Sequence, residues 1–454
     1  MASEQLLVSF IRDVKYSDLD EETIKIVKLQ TTATYGALIA GSATAVTGAV
    51  DFVNEMGGKP EATVFLYGNR VPSHQAAFSN AVLGRALDID DHIAPGAHIG
   101  GAVIPAAFAA AEYIGGCTGK EFITAVAAGT EVSLRLMLKE DDYSGFDPTG
   151  VTAVFGAAAA AAKLMGLDEA QVWNALGLAS DKSAASYQHF IDGVVAGPVM
   201  EGWVAQAGVE CARLAKHGVT GTVNFLEGIY GYFHLYGRDR VDAASVTKAL
   251  GSEWHLRKLN FKKYPSCGNT QSPTALIQRM MEKDGFVAED VDSIEILLPP
   301  YAFNLVGHPF KIGVNPRVDA QFNAAYCVVN ALLRSPVTLS HFEAEQVKNP
   351  EIYSFIKEKV SVVSDADVDK GRGHYATDIH VKTKDGKEFF GQIDIPPGTP
   401  ADPMTDEEHK ERFFDCVRFS GIRWFEGREE SILDFIWTLE GKDDVLGLIP
   451  LFLR

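Results

Sequence analysis

Six consecutive alanines, Ala157 to Ala162, lie inside an apolar surround. Alanine is the best helix former and carries nothing that holds two elements apart. An apolar helix of this kind must be buried on every side and packed closely against its neighbours. The segments around it repeat the theme. Residues 102–114, 119–138 and 151–165 read as helices, and 168–180 and 200–216 continue the pattern. Residues 30–54 are rich in Ala, Gly and Thr, and a helix of small residues from Ser73 to Leu87 has the same character. Residues 4–13 read as a short amphipathic helix. Ser17 and Asp20 have capping-box spacing before a helix carrying Ile24, Val27, Thr31 and Tyr35. Residues 62–67 are a short strand or a buried turn. The most apolar stretches, 102–111 and 153–162, fall short of the ~18 residues a membrane span needs.

After Trp254 the pattern changes. The segment KLNFKKYPSCGNTQSPTALIQRMM is basic and broken by Pro and Gly before a helix resumes. Asp292 to Leu298 has strand character. Asp378 to Thr383 alternates, Asp385-Gly386 is a hairpin turn signal, and Glu388 to Ile395 returns as a strand. Helical segments near 319–333 and 341–360 lie between, and Pro396-Pro397-Gly398 closes the module. The tail, 405–454, returns to helix, with Thr405 and Glu408 as another capping box. This predicts a mainly α protein. A large helical domain, 1–257 and 396–454, is built from both chain ends, and a smaller α+β lid, 258–395, is inserted in it.

With 454 residues the chain is too long for one ordinary core, and its net charge of −19 disfavours nucleic acid or an anionic membrane as a partner. Cysteines 117, 211, 267, 327 and 416 are scattered with no CxxC, which reads as a reduced protein. No basic and apolar leader opens the chain, so a cytoplasmic location is expected.

Chemistry-bearing residues concentrate in ALDIDDHIAPGAHIGGAVIP, which ends at Pro105. Asp88, Asp90 and Asp91 stand with His92 and His98 among glycines and prolines. Asp88, Asp91 and His92 share a face if the preceding helix runs on to Pro95-Gly96. A second helix then begins near Gly100, with free N–H groups that favour an anion. A carboxylate beside an imidazole suits acid/base work. A metal held by Asp88, Asp91, His92 and His98 is disfavoured, because neither the spacing nor the ligand set is specific. GGCTGK at 115–120 is one residue short of a phosphate loop and has Glu121 where Ser or Thr must reach magnesium. Cys267 as a lone cysteine is more simply packed than nucleophilic.

Five segments in order resemble the MmgE/PrpD family: the Asp88 stretch, GFDPTGVTAVFGAAAAAAKLMGL, GPVMEGWVAQAG, NFKKYPSC and PPGTPADPMTDEEHKERFFDC. The resemblance implies a helical domain with an inserted α+β lid, a homodimer with the site between domains, and no metal or organic cofactor. It implies acid/base chemistry on a small carboxylic acid, in which a proton leaves a carbon next to a carboxylate. It carries catalytic roles onto Asp88, Asp91, His98 and Lys262, with Lys263 and Cys267 beside the substrate. His92 is a further candidate for substrate contact. The family's usual Trp-His-Pro-Thr motif is Phe146-Asp147-Pro148-Thr149 here, and its Lys-Pro-x-His segment is Gly197-Pro198-Val199-Met200 followed by Glu201. Tyr143 lies near a tyrosine of the family's epimerase, and with Asp147 it is a second-tier candidate.

The expected function is a lyase acting by proton abstraction, with His98 oriented by Asp88 or Asp91. The loss of cationic positions argues against a tricarboxylate substrate. An epimerase or isomerase using Tyr143 opposite His98, and a non-catalytic scaffold or ligand-binding protein, are the alternatives.

Overall fold

The computed structural model describes residues 2–192 and 194–454. It divides the chain into two units, Met1–Leu259 with His409–Arg454, and Asn260–Glu408.

In the first unit the alanine run forms the centre of the helix Pro148–Leu164, and all six alanines are wholly buried. Gly100–Ile114, Gly119–Arg135 and Ala196–Lys216 pack around it. The approach is close enough to need glycine at the crossing: a Cβ on Gly156 would stand 2.3 Å from the carbonyl oxygen of Gly129. Ser73–Arg85 packs against Ala196–Lys216 and Gly100–Ile114, so its C-terminal end is set among buried helices. The two chain ends share this core. The Phe65 ring lies 5.0 Å from Phe108 and 4.9 Å from Phe452 between centroids. No single helix among the described residues is long and apolar enough to cross a membrane.

The second unit holds a four-stranded sheet in the order Val360–Ser364, Val291–Leu298, Thr377–Thr383, Glu388–Ile393. The first pair is parallel and the others antiparallel. Thr383 N donates to the Lys387 carbonyl at 2.9 Å across the Asp385-Gly386 turn, and Gly386 has φ 83°, the conformation glycine supplies there. Gly268–Asp284 packs on the sheet, with Leu276, Ile277 and Met280 buried.

Several local expectations are corrected. Asp20, not Ser17, caps Glu21–Gly41, accepting from Thr23 N. Residues 62–67, read as a short strand or a buried turn, hold both: Ala62–Thr63 pairs with Arg70–Val71, and Phe65 to Tyr67 form a turn. The 341–360 segment is two short helices, Ala344–Val347 and Pro350–Lys359, and Val360 to Ser364 leaves as a strand because its β-branched residues pair along Val291–Leu298. Pro396-Pro397-Gly398 does not close the second unit. Phe261 N donates to the Gly398 carbonyl at 2.7 Å and Arg279 pairs with Asp402 at 2.7 Å, and these bonds keep the segment in that unit as far as Glu408. The Thr405–Glu408 capping box forms, with Thr405 N donating to Glu408 Oε2 at 2.8 Å.

Candidate active site

The helix Ser73–Arg85 stops at Arg85, well short of Pro95. Asp88 has φ 57°, a left-handed conformation that aspartate tolerates and a helix does not. Asp88, Asp91 and His92 therefore do not share a helix face, and the expected helical spacing is corrected to a turning, buried loop. Ile93 and Ala97 form an antiparallel bridge at its tip, which returns the chain to His98 and the start of Gly100–Ile114.

The loop winds its carboxylates around Arg85, a residue the sequence reading passed over. Arg85 Nη1 stands 2.7 Å from Asp88 Oδ1 and 3.8 Å from Asp90 Oδ1, and its Nε stands 3.0 Å from Glu201 Oε2. The guanidinium also lies over the Phe190 ring, 5.5 Å from the centroid. Arg85 is buried, and its charge is compensated at close range by Asp88 and Asp90, with the Glu201 carboxyl as a third neighbour, as a buried cation requires.

His98 is held on both ring nitrogens. Nδ1 is 3.0 Å from Asp90 Oδ1, and Nε2 is 3.4 Å from Asp88 Oδ1. Its backbone N–H donates to Thr149 Oγ1 at 2.9 Å. Asp90 and Asp88 thus orient the ring. Asp91, expected to share that part, instead turns to the next helix. Gly100 N donates to its two oxygens at 3.0 and 3.2 Å, and Gln30 Nε2 donates at 3.0 Å. The helix N-terminus expected to be open for an anion is filled by this side chain. Burial, with the Asp90 charge nearby, pushes the Asp91 carboxyl up to about 7. Burial and Asp90 likewise raise Glu201 well above the ordinary carboxylate range. Neither oxygen of Glu201 accepts a hydrogen bond among the described residues, and a protonated carboxyl reduces the cost of that. Two glycines make the packing possible: a Cβ on Gly100 would stand 2.2 Å from Asp91 Oδ1, and one on Gly101 would stand 2.1 Å from Glu201 Oε1.

The other expected residues are placed as follows. His92 is buried with its ring centroid 6.3 Å from that of His98. Asp147 caps Pro148–Leu164, accepting from Thr149 N at 2.7 Å, and its other oxygen is 3.6 Å from His189 Nε2. Thr149 thereby joins Asp147 to His98. Tyr143 belongs to a different set of contacts: its hydroxyl accepts from Leu138 N at 3.2 Å and faces Met137 Sδ, and burial raises its pKa. Lys262, Lys263 and Cys267 belong to the second unit. Lys262 is buried, Lys263 Nζ is paired with Glu408 Oε1 at 2.6 Å, and Cys267 is buried at the start of Gly268–Asp284.

Asp88, Asp90 and His98 each offer a donor atom, all within 4.8 Å of one another, a spacing open to a metal ion. The Arg85 guanidinium, 2.7 Å from Asp88 Oδ1, already offsets one of that group's two carboxylate charges and would repel a divalent ion there. Sequence reasoning missed Arg85 and His189, and it named Asp90 without giving it a role. Arg85 carried one signal, since a charged residue at the end of an apolar helix immediately before an acidic run needs a partner.

Residues 5–243 match the MmgE/PrpD N-terminal domain, and residues 264–432 match the MmgE/PrpD C-terminal domain. The chain is 26% identical over 425 residues to a cis-aconitate decarboxylase-like protein of Aspergillus oryzae, covering 86% of this chain and 84% of that protein. It is 27% identical over 360 residues to the cis-aconitate decarboxylase of Mus musculus, covering 76% and 72%. It is 26% identical over 390 residues to the cis-aconitate decarboxylase of Homo sapiens, covering 83% and 78%.

Proposed function

The chain belongs to the MmgE/PrpD family, and on that premise we propose that it is a cofactor-independent lyase acting on a small carboxylic acid with fewer than three carboxylates. The observation that carries this reading is the His98 imidazole, held at Nδ1 by Asp90 and approached at Nε2 by Asp88. Asp90 accepts the Nδ1 proton and leaves Nε2 with a lone pair, the arrangement a general base needs. His98 takes a proton from the carbon beside the substrate carboxylate. A double bond forms as the neighbouring leaving group departs, and the imidazolium can return its proton to that group. Arg85 fixes the carboxylates so that the ring keeps this orientation. Asp88 is the member of the set best placed to relay a proton outward, since its side chain keeps 12% of its surface exposed.

The choice of a smaller acid rests on charge. Arg85 already faces Asp88, Asp90 and the Glu201 carboxyl, and Asp147, Gly197 and Met200 stand where cationic or histidine side chains were expected. A desolvated substrate carboxylate without a partner costs several kcal/mol. Tyr143 has its hydroxyl committed to Leu138 N, which favours the lyase over an epimerase using Tyr143 opposite His98. A contact between Lys262 and the substrate rests on the family resemblance.

The test is turnover of a panel of mono-, di- and tricarboxylic acids in heavy water. The wild type is expected to eliminate water from one of the smaller acids. His98→Asn and Asp90→Asn should lose about 10²- to 10⁴-fold in rate, and Lys262→Ala should raise KM. Rapid turnover of cis-aconitate or 2-methylcitrate would overturn the substrate assignment. Deuterium uptake without elimination would turn the reading to the isomerase.

A further inference from the structure

Positive charge gathers at one cavity of the first unit, in a chain whose net charge is −19. The cavity has a volume of about 630 Å³, and Arg12, Lys15, Lys120 and Lys163 all line it. Arg12, Lys15 and Lys120 are exposed, and Lys163 is half-buried. Two carboxylates, Asp13 and Glu121, share the wall, and both are already committed. Asp13 is bonded to Arg12 at 2.6 Å, and Glu121 Oε2 accepts from Thr118 N at 2.8 Å and from the Thr118 hydroxyl at 2.7 Å. None of the three lysines is ion-paired among the described residues. Lys120 Nζ lies over the Tyr16 ring, 5.3 Å from the centroid. Lys163 Nζ donates to the Ile11 carbonyl at 2.8 Å and to the Arg12 carbonyl at 3.4 Å, which leaves one of its N–H groups for a ligand. Burial lowers its pKa to about 8 against the pull of Asp13 and Asp18, the direction of an ammonium short of counter-charge. Helix ends do not use up these charges. The carbonyls that end Gly100–Ile114 and Pro148–Leu164 are met by backbone N–H groups: Gly116 N donates to the Ala111 carbonyl at 2.9 Å, and Leu167 N to the Ala162 carbonyl at 3.1 Å.

The GGCTGK segment at 115–120 borders this cavity, but not as a phosphate loop. Glu121 fills the helix start there, so the segment brings the Lys120 side chain rather than free amides. Val14, Tyr16, Ile114 and Leu164 give the wall an apolar side. A phosphate monoester carries about two negative charges at neutral pH, which matches the excess of cations over carboxylates in the wall. A single carboxylate would leave half of that excess unmet. We propose that this cavity binds a phosphate monoester on an aromatic body, with the dianion among Lys15, Lys120 and Lys163 and the ring against Tyr16 and Ile114. The site is separate from the acid cluster. Pro148–Leu164 carries Thr149, which bonds the His98 amide, near one end and Lys163 near the other, about 20 Å apart along the axis. The proposal therefore stands apart from the lyase reading.

Calorimetry with phenyl phosphate tests this. Benzenesulfonate is the monoanion of the same body, inorganic phosphate the head without a body, and ribose 5-phosphate the head on a polar body. Phenyl phosphate should bind about tenfold tighter than benzenesulfonate, the difference that added charge-assisted hydrogen bonds make. It should also bind about tenfold tighter than inorganic phosphate and ribose 5-phosphate, the worth of one buried ring. Lys15→Gln combined with Lys120→Gln, both at exposed positions, should weaken phenyl phosphate about tenfold or more, with an unchanged melting temperature as the check on folding. Labelling locates the site in the unaltered protein. Saturating phenyl phosphate should cut acetylation of Lys15 and Lys120 by acetic anhydride about threefold, read by mass spectrometry. Lys59, whose side chain is 78% exposed, should label as before. Absence of phenyl phosphate binding, equal binding of benzenesulfonate, or equal labelling of Lys15 and Lys120 with and without the ligand would each overturn the site. Undiminished binding by the folded double variant would place the phosphate elsewhere and overturn it as well. Equal affinity for phenyl phosphate and ribose 5-phosphate would overturn the aromatic body.

Discussion

Gly101 has little freedom within the acid cluster. It sits at the start of Gly100–Ile114, and an added Cβ would meet Glu201 Oε1 at 2.1 Å, Glu201 Cδ at 2.9 Å and Asp90 Oδ2 at 3.0 Å. Glu201 cannot simply retreat, because its other oxygen is paired with Arg85 Nε at 3.0 Å. Gly101→Ala should therefore cost about 3 kcal/mol, the upper range for forcing an extra methyl into a packed interior. Gly115→Ala is the control. Gly115 ends the same helix with φ 89° and open space around it, so its cost is backbone strain alone, about 1 kcal/mol. Urea unfolding of the two variants compares them directly. Equal midpoints would mean that Glu201 is not held against Gly101 as described.

At the scale of elements, Asp147 shows how a helix start can serve a site. Its Oδ1 accepts from Thr149 N and Gly150 N, which satisfies the first turn of Pro148–Leu164. Its Oδ2 is left for His189. Asp147→Asn keeps the capping oxygen and should cost little stability while losing the charge beside His189. Asp147→Ala loses both and should cost about 1 kcal/mol more. Thermal melts of the pair separate the cap from the charge, and matching melting temperatures would remove the cap from the account. The helices themselves were legible in the sequence, because alanine runs and apolar periodicity are local signals that burial then satisfies. The hairpin was legible through Asp385-Gly386. Val360–Ser364 was not, since five residues beside a helix become a strand only when a parallel partner is present to pair with them. The site was legible as a stretch but not as a geometry. Helical spacing joined Asp88, Asp91 and His92, whereas the left-handed Asp88 separates them and brings Asp90 to His98. Arg85 stands directly before the stretch and meets Asp88 as a near neighbour in sequence, whereas His189 comes from a distant segment that packing brings to Asp147.

For the molecule as a whole, the net charge of −19 makes the pH dependence of stability a question of which acids resist ionisation. Asp91 is pushed up to about 7 by burial and by Asp90, and Glu201 is raised well above the ordinary carboxylate range by burial, with Asp90 and Asp91 adding to it. A carboxyl whose pKa is higher folded than unfolded binds more protons in the native state, so stability falls as pH rises through that window. For Asp91 the window runs from the ordinary aspartate value of 3.8 to about 7, and the full effect is on the order of 4 kcal/mol. His255, lowered to about 4 by burial, has the opposite sign: its neutral form is the one buried, and its contribution is lost as pH falls from 6.5. The two trends overlap and flatten the profile of the wild type. A difference profile separates them, because His255 is common to both proteins. Asp91→Asn keeps an acceptor for Gly100 N, and Gln30 can rotate its amide to meet the new NH2, since the Thr130 hydroxyl that bonds it can donate or accept. The stability of Asp91→Asn relative to wild type, measured by urea unfolding, should therefore rise steadily between pH 4 and pH 8, by up to a few kcal/mol. Glu201 loses a repelling neighbour in the variant and adds to the same trend. A flat difference would mean that Asp91 ionises normally, and a falling one would mean that the Gly100 and Gln30 hydrogen bonds outweigh burial and hold it as a carboxylate.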